Sequence, residues 1–418
     1  MKRRTFLNKS LLGLGAISIV PRYILGGPGF NAPSDQLTKA VIGVGGMGRN
    51  HLHGYPGARL LAVCDVDRKH LQMALDMCNK EVKGYTDFRE VLERDDIDVV
   101  HIPTPPHWHA LISIAAARAG KDIWCEKPMT RTIGEGQKVI QAVQQNSRIF
   151  RINTWFRFQS NFYGMNCEVK PIKKIVENGL LGWPLKVTVS ATTGFEWKFY
   201  WSGLIGQTPE WIPEELDYNF WLGPAPYKPY HHHRVHGTFR GYWDYDGGGL
   251  GDMGQHFLDA VQYLLEKDET SPVEIEADAP QQHPDACGSW RKIWMKYADG
   301  CEILLDGVAK DDNVPFIEGP KGKLYPGLRS TIANLPKILK SLPDPKPQVT
   351  DFYEAVKNRR KFALNEENAH RSCTLVNLAK IAVRTGRKLR FNPETQRFID
   401  DGEANRMICE PMRAPWHV

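Results

Sequence analysis

Between Leu37 and Phe150, short apolar runs alternate with longer stretches whose apolar residues recur every three or four positions. Ala40–Gly43, Arg59–Cys64, Asp98–Ile102 and Asp122–Cys125 have the length and composition of buried strands. Arg68–Cys78, Asp87–Arg94, Trp108–Ala119 and Thr132–Gln145 carry helical spacing between and after them. This alternation predicts an α/β fold: a doubly wound parallel sheet with helices on both faces.

Beyond Arg157 the pattern changes. Ile172–Gly179 predicts an amphipathic helix stopped at Asn178-Gly179, and Leu185–Ser190 alternates as a half-buried antiparallel strand does. Val273–Ala277, Lys292–Tyr297 and Glu302–Val308 read as further strands. Between Thr192 and Gly249 lies a long irregular stretch rich in Pro, Trp and Tyr. Seven of the 12 tryptophans fall between Trp155 and Trp243, which argues against disorder and for rings that stack on a sugar or pack beneath loops. At 418 residues the chain has room for two domains. Residues 35–155 form the first and 156–418 the second, after a leader at 1–34.

That leader holds Arg3-Arg4, Phe6-Leu7 and Lys9, then an apolar run from Leu11 to Val20 that is short for a bilayer span. It resembles a twin-arginine export signal, which implies the export machinery as a partner and a periplasmic location, or a membrane tether where the signal stays uncleaved. Setting aside its five basic residues (Lys2, Arg3, Arg4, Lys9 and Arg22) reduces the formal charge from +6 to about +1. No basic stripe interleaved with aromatics then points to nucleic acid. The eight cysteines form no C-x-x-C pair and several sit inside apolar runs, so they read as small buried residues and not as zinc ligands or a disulfide framework.

The first strand ends in Gly43-x-Gly45-x-x-Gly48, and Asp65 follows 22 residues after the first glycine, at the end of the second strand. A dinucleotide requires this order. The first glycine turns tightly, the second lets backbone approach the pyrophosphate, the third lets helix pack on strand, and the acid accepts from ribose hydroxyls. Gly46 and Met47 lie inside the loop, and an acid with no arginine directly after it favours NAD over NADP. Pro103 and Thr104, after the third run, and His109 and Glu126 complete the residues expected along the cofactor. His107 and His109 can equally serve capping or packing. Export separates such an enzyme from the soluble cofactor pool, so NAD must be held tightly and regenerated in place, or its electrons passed to a partner.

Two segments can carry chemistry. Glu126-Lys127-Pro128 follows a buried strand, which brings Lys127 to the carboxyl edge of the sheet, where ligands bind; the proline suits a cis peptide. Alone, such a lysine is as well explained as a solvated charge. Asp252 and His256, in a glycine-rich segment, stand four residues apart on one helical face, where an acid can orient an imidazole base. An N-cap aspartate and a satisfied core histidine explain the same residues.

The three motifs, in this order, resemble the glucose–fructose oxidoreductase/inositol dehydrogenase (Gfo/Idh/MocA) family. The resemblance extends over nearly everything after the leader, and Leu216–Pro226 and Met412–Trp416 look like its exported bacterial branch. It implies an N-terminal Rossmann domain and a C-terminal α/β domain with an open, mainly antiparallel sheet that often packs on another subunit, giving a homodimer or homotetramer. It further implies that Lys127 hydrogen-bonds the reacting hydroxyl, His256 is the general base and Asp252 orients both. The substrate would be a sugar or glycoside oxidised at a secondary hydroxyl. A redox-neutral glycosidase working through a transient 3-keto sugar, and a non-catalytic sugar-binding protein, are the competing readings.

His231-His232-His233-Arg234-x-His236 departs from simpler members. Its histidines can bind a metal, line a sugar site or crowd a loop; no metal is assigned, since the spacing is not diagnostic. His232, His233, Arg157, Tyr242, Trp243 and Asp244 are the candidates for substrate contact.

Overall fold

The apolar runs of the first half do form one parallel sheet. β1 (Leu37–Ile42), β2 (Ala58–Cys64), β3 (Lys83–Tyr85), β4 (Val99–Ile102), β5 (Asp122–Cys125) and β6 (Phe150–Ile152) lie in the order β3-β2-β1-β4-β5-β6. Every neighbouring pair is parallel. The structure is a computed structural model describing residues 36–418 except 155, 159–161, 163–165, 194 and 309–312. The leader at 1–34 thus lies outside the described residues. α1 (Gly46–His53), α2 (Arg68–Asp76), α3 (Phe88–Leu92), α4 (Pro106–Arg118) and α5 (Ile133–Gln145) connect the strands. β4 and β5 are buried at every position, as expected of strands covered on both faces. β3 and β6 have three residues each, too few for a periodic signal, and neither was predicted. Caps set the helix starts. Asp67 accepts from the Lys69 and His70 amides, and Thr132 with Glu135 forms a capping box. Strand order reverses between β1 and β4, which opens a crevice at the carboxyl edge of the sheet.

In the second half, α6 (Val169–Glu177), β7 (Lys186–Ser190), α7 (Tyr218–Leu222) and α8 (Gly248–Leu264) precede β8 (Glu274–Asp278), β9 (Lys292–Lys296), β10 (Glu302–Asp306), β11 (Ile317–Gly319) and β12 (Gly322–Leu324). Then come α9 (Leu335–Ser341), α10 (Phe352–Lys357), α11 (Glu366–Thr385), β13 (Leu389–Asn392), β14 (Arg397–Phe398) and α12 (Gly402–Ile408). The sheet runs β12-β11-β7-β10-β9-β8-β13-β14, antiparallel except for the β7–β10 pair. Alternation decides its faces: Ile293 and Met295 are buried while Trp294 between them is 40% exposed. Phe257 and Val261 of α8, Ile172 of α6 and Val376 of α11 fill the buried side.

The packing boundary differs from the linear one at 155/156. Phe352, Tyr353 and Val356 of α10, with Phe362 and Leu364 after it, join the hydrophobic core of the Rossmann sheet. The stretch from 192 to 249 is largely irregular, yet Tyr218, Trp221, Tyr230, Tyr242 and Tyr245 make a small aromatic core of their own.

Candidate active site

The crevice begins where β1 stops. Gly43 takes φ +93°, which a side chain rarely tolerates, and a Cβ there would meet Thr104 Cγ2 at 2.8 Å. A Cβ on Gly48 would stand 1.9 Å from the Gly43 carbonyl oxygen, so the third glycine allows α1 to close on the turn without itself lining the cavity. Gly46 has nothing within 4 Å of its Cβ position, and Gly45 caps α1 without a side-chain bond. The first amides of α1 therefore face open space, as a pyrophosphate needs. Asp65 accepts from the Val44 amide at 2.8 Å and from the Asp67 amide at 2.9 Å. Burial nonetheless pushes its carboxyl up to about 6. These residues line a cavity of about 330 Å³, together with Met47, Pro103, Thr104 and Glu126. Open backbone at two glycines beside a carboxylate at the end of β2 fits a dinucleotide.

At its other end the two domains meet. Lys127 leaves β5 just before a cis peptide to Pro128, and its Nζ donates to Asp252 Oδ1 at 2.8 Å and to the Asp252 carbonyl at 2.6 Å. Asp252 lies on the first turns of α8 and also accepts from Arg240 Nε at 2.8 Å and Lys198 Nζ at 3.1 Å. Burial alone would raise this carboxyl, but the Lys127 and Arg240 charges and hydrogen bonds hold it well below the ordinary carboxylate range. Asp246, which also lines the cavity, is pushed up to about 7 by burial, against the pull of Lys380 and Arg240. His256, one turn beyond Asp252, is buried beside Phe156 and lies behind the cavity wall, not on it. Burial first, and then the Lys127 charge, push its imidazole down to about 3, so the ring is neutral.

Glu126 is held by a buried polar chain. Its Oε1 lies 2.9 Å from His51 Nε2 and also accepts from Asn153; His51 faces His101 (Nδ1 to Nδ1, 2.9 Å), and His101 reaches the Tyr353 hydroxyl at 3.1 Å. Burial would raise the Glu126 carboxyl, yet His51 and Lys127 outweigh it and lower it to about 2. The chain locks the Glu126-Lys127 backbone at the sheet edge.

Several residues expected at the site stand elsewhere. Arg157 is fully buried between Asp259 and Asp268 and does not line the cavity; two acidic partners and complete burial make it a scaffold ion pair. His109 lies under the cavity, its ring nitrogens 2.7 Å from the Pro128 carbonyl and 2.8 Å from that of Thr104, so it ties two edge loops together. Tyr242 is buried and hydrogen-bonds His233 at 2.8 Å, and Trp243 is buried and donates to the His283 carbonyl at 3.1 Å. Asp244 lies 3.8 Å from Lys228, and exposed His232 pairs with Glu210 at 2.9 Å. None of these five, His233 included, lines the cavity. His107 is buried and bonds the Trp221 carbonyl at 3.0 Å. Of the histidine-rich segment, His236 alone reaches the cavity, 3.3 Å from Asp67 and with its ring tilted against that of His70 at 4.5 Å. Asp67, His70 and His236 form one group with metal-ligating spacing and Glu210, His231 and His232 another, each with its ligand atoms within 4.8 Å.

Arg240, Lys198, Asp246 and His70 were not singled out from sequence. The first three belong to or flank the irregular stretch, where no periodicity says which way a side chain points.

A doubly wound sheet with a glycine turn at its switch point, whose Lys127 pairs with Asp252 of a second domain, defines a dinucleotide-dependent oxidoreductase. The family profiles agree: "Oxidoreductase family, NAD-binding Rossmann fold" matches residues 37–154, and "Oxidoreductase family, C-terminal alpha/beta domain" matches 165–418. The chain belongs to the Gfo/Idh/MocA oxidoreductase family. It is 31% identical to inositol 2-dehydrogenase of Salmonella typhimurium over 204 residues, 46% of this chain and 56% of that protein. It is 33% identical to a glycosyl hydrolase family 109 protein of Shewanella baltica over 132 residues, 29% of each. The chain thus spans about half the length, or less, of the curated relatives it matches. The WlbA dehydrogenase of Bordetella pertussis, solved with NADH and UDP-GlcNAcA, shares the fold at TM-score 0.59 and 16% identity, over 85% of this chain and 99% of that one.

Proposed function

We propose that this protein transfers a hydride between a secondary hydroxyl of a sugar or glycoside and a tightly held NAD. The observation that carries the proposal is the Lys127–Asp252 contact of 2.8 Å, which joins the two domains where the glycine-lined cavity ends. When bound, the nicotinamide supplies the hydride acceptor. Lys127 donates to the reacting oxygen and stabilises the negative charge it gains as its proton leaves. Asp252, ionised throughout, holds Lys127 in place. For the hydroxyl proton we propose His256, neutral and one turn along α8 from Asp252. It stands behind the cavity wall and burial lowers its basicity, so this role requires the ring to reach the substrate once ligand is bound. Asp65, followed by Val66 and no arginine, supports NAD over NADP, because a 2′-phosphate would face a carboxylate. The motif at Arg3-Arg4 supports export by the twin-arginine route to the periplasm, and the open sheet face carrying Trp294 supports a homodimer or homotetramer.

The test is turnover of a glycoside panel by the wild-type chain and by Lys127→Met and His256→Ala, with bound NAD quantified in each. Loss of turnover with NAD retained is expected; full turnover in both variants overturns the assignment. Fractionation of Arg3→Lys/Arg4→Lys cells tests export, and light scattering the oligomer.

The match to a family 109 protein favours a second reading, in which oxidation at C3 acidifies the C2 hydrogen. The C2 proton and the glycosidic group then leave, water adds, and return of the hydride restores the alcohol. Products formed in heavy water separate the two. An oxidised sugar carries the first reading, and a cleaved, unoxidised sugar with deuterium at C2 carries the second.

A further inference from the structure

The charges around Asp252 do not balance. Asp252, 2.8 Å from Lys127, and the ionised Glu126 are the two anions set against Lys127, Lys198 and Arg240, while Asp246 is the main charge opposing burial at Lys380. One positive charge remains. Lys198 Nζ lies 3.1 Å from Asp252 Oδ2, and Arg240 Nε lies 2.8 Å from Oδ1, so one carboxylate serves three positive groups. Their side chains are 28% and 23% exposed, against 9% for Lys127, so both lie nearer solvent than Lys127, with Lys198 reaching Asp252 from outside the cavity lining. Arg240 lines the cavity. Its Nη1 donates to the Gly237 carbonyl at 3.0 Å, and its guanidinium lies 5.0 Å from the Trp201 ring and 4.9 Å from that of Phe239. The planar fork is thus oriented before any ligand arrives. An oxidised nicotinamide adds one more positive charge. A neutral sugar would leave this excess uncompensated in a half-buried site, whereas an anionic one would neutralise it.

We infer that the substrate bears an anionic group, a carboxylate, bound between Lys198 and Arg240 on the solvent side of Lys127. The class is then an acidic sugar, a uronic acid or its glycoside. The inference rests on the oxidoreductase reading. Lys198 and Arg240 act as specificity residues, fixing the charged end while the hydroxyl to be oxidised lies at Lys127.

The test uses the full chain with NAD bound and sugars that differ only at C6: glucose against glucuronate, galactose against galacturonate. Binding is followed by calorimetry and hydride transfer by the absorbance of bound NADH. Uronates are expected to bind about 10- to 100-fold more tightly, the worth of a charge-assisted pair, with a preference that shrinks as salt rises. Lys198→Met and Arg240→Met should bring the uronate-to-neutral ratio toward one, and Arg240→Lys should keep part of it, which separates lost charge from lost fold. Equal binding of acidic and neutral sugars, or no uronate binding, overturns the inference. So does a loss of NAD affinity in the variants with the ratio unchanged, because the cations would then serve the cofactor. A sulfated or phosphorylated sugar preferred over uronates overturns the carboxylate assignment. NADH formed from neutral sugars alone removes the acidic subsite and leaves the oxidoreductase reading standing. Preferential uronate binding with no NADH from any sugar does the reverse.

Discussion

Helix α8 carries two buried carboxylates about two turns apart, Asp252 and Asp259, and each meets cations with opposite consequences. At Asp259 one guanidinium serves two acids. Arg157 donates to Asp259 at 2.9 and 3.1 Å and to Asp268 at 2.5 and 2.7 Å, and the Thr154 hydroxyl adds another bond at 3.1 Å. Arg157 and Asp259 are buried in that cluster and their hydrogen bonds are made within it. At Asp252 one acid serves three cations beside a cavity, so positive charge is left over for a ligand. Burial and ion pairing alone therefore do not mark a site; surplus charge next to open volume does.

The sharpest way to break this contrast is to remove the central cation from each cluster. Arg157→Met leaves Asp259 buried without its partner and should cost about 3–5 kcal/mol of stability, read from denaturant unfolding. A cost below about 1 kcal/mol would mean that the cluster is not a structural element. Lys127→Met leaves Asp252 still paired with Arg240 and Lys198, so stability should change little while turnover falls about 10²- to 10³-fold. The reverse pattern, a large loss of stability with activity kept, would put Lys127 in the scaffold.

A smaller effect follows from buried imidazoles. Burial lowers His107 and His256 to about 3 and His370 to about 4. Each takes up a proton on unfolding below its ordinary value of 6.5, so its contribution is complete above about 6.5 and is lost as pH falls toward 3 to 4. Asp65 and Asp246, raised by burial, act with the opposite sign as pH rises from their ordinary 3.8 to about 6 and 7. His107→Gln should therefore reduce the slope of unfolding free energy against pH, between pH 4 and 6, by about 1.4 kcal/mol per unit. An unchanged slope would mean that His107 is charged in the folded chain. The smallest effect is expected at His236, which lines the cavity with Asp65 and lies 3.3 Å from Asp67. His236→Ala should speed NAD release about fivefold in a fluorescence chase, the worth of one hydrogen bond. Unchanged release would make the contact incidental.

How much was legible follows from how locally each part is encoded. The cofactor end is contiguous: Gly43 to Gly48 and Asp65 sit on two adjacent strands and one helix, and their spacing alone carries the geometry. Lys127 and Asp252 also stood out, one at a strand end and one in a glycine-rich helix start. Arg157, Tyr242 and Trp243 were chosen as flanking residues, but nearness in sequence does not orient a side chain, and all three point into packed interior. Arg240 and Lys198 come from irregular backbone, where no period of 2 or 3.6 tells inside from outside.

By itself, the sequence determined the alternation of the four longer Rossmann strands with their helices, the phosphate-binding turn and the chemical groups available, because these depend on neighbours within a few residues. Only the tertiary structure decided that α10 completes the Rossmann core, that His236 of the histidine-rich segment alone reaches the cavity, and that three cations converge on Asp252. Such contacts join residues 54 to 125 positions apart and ones only 12 apart across an irregular turn, and long-range packing and charge balance, not local propensity, select them.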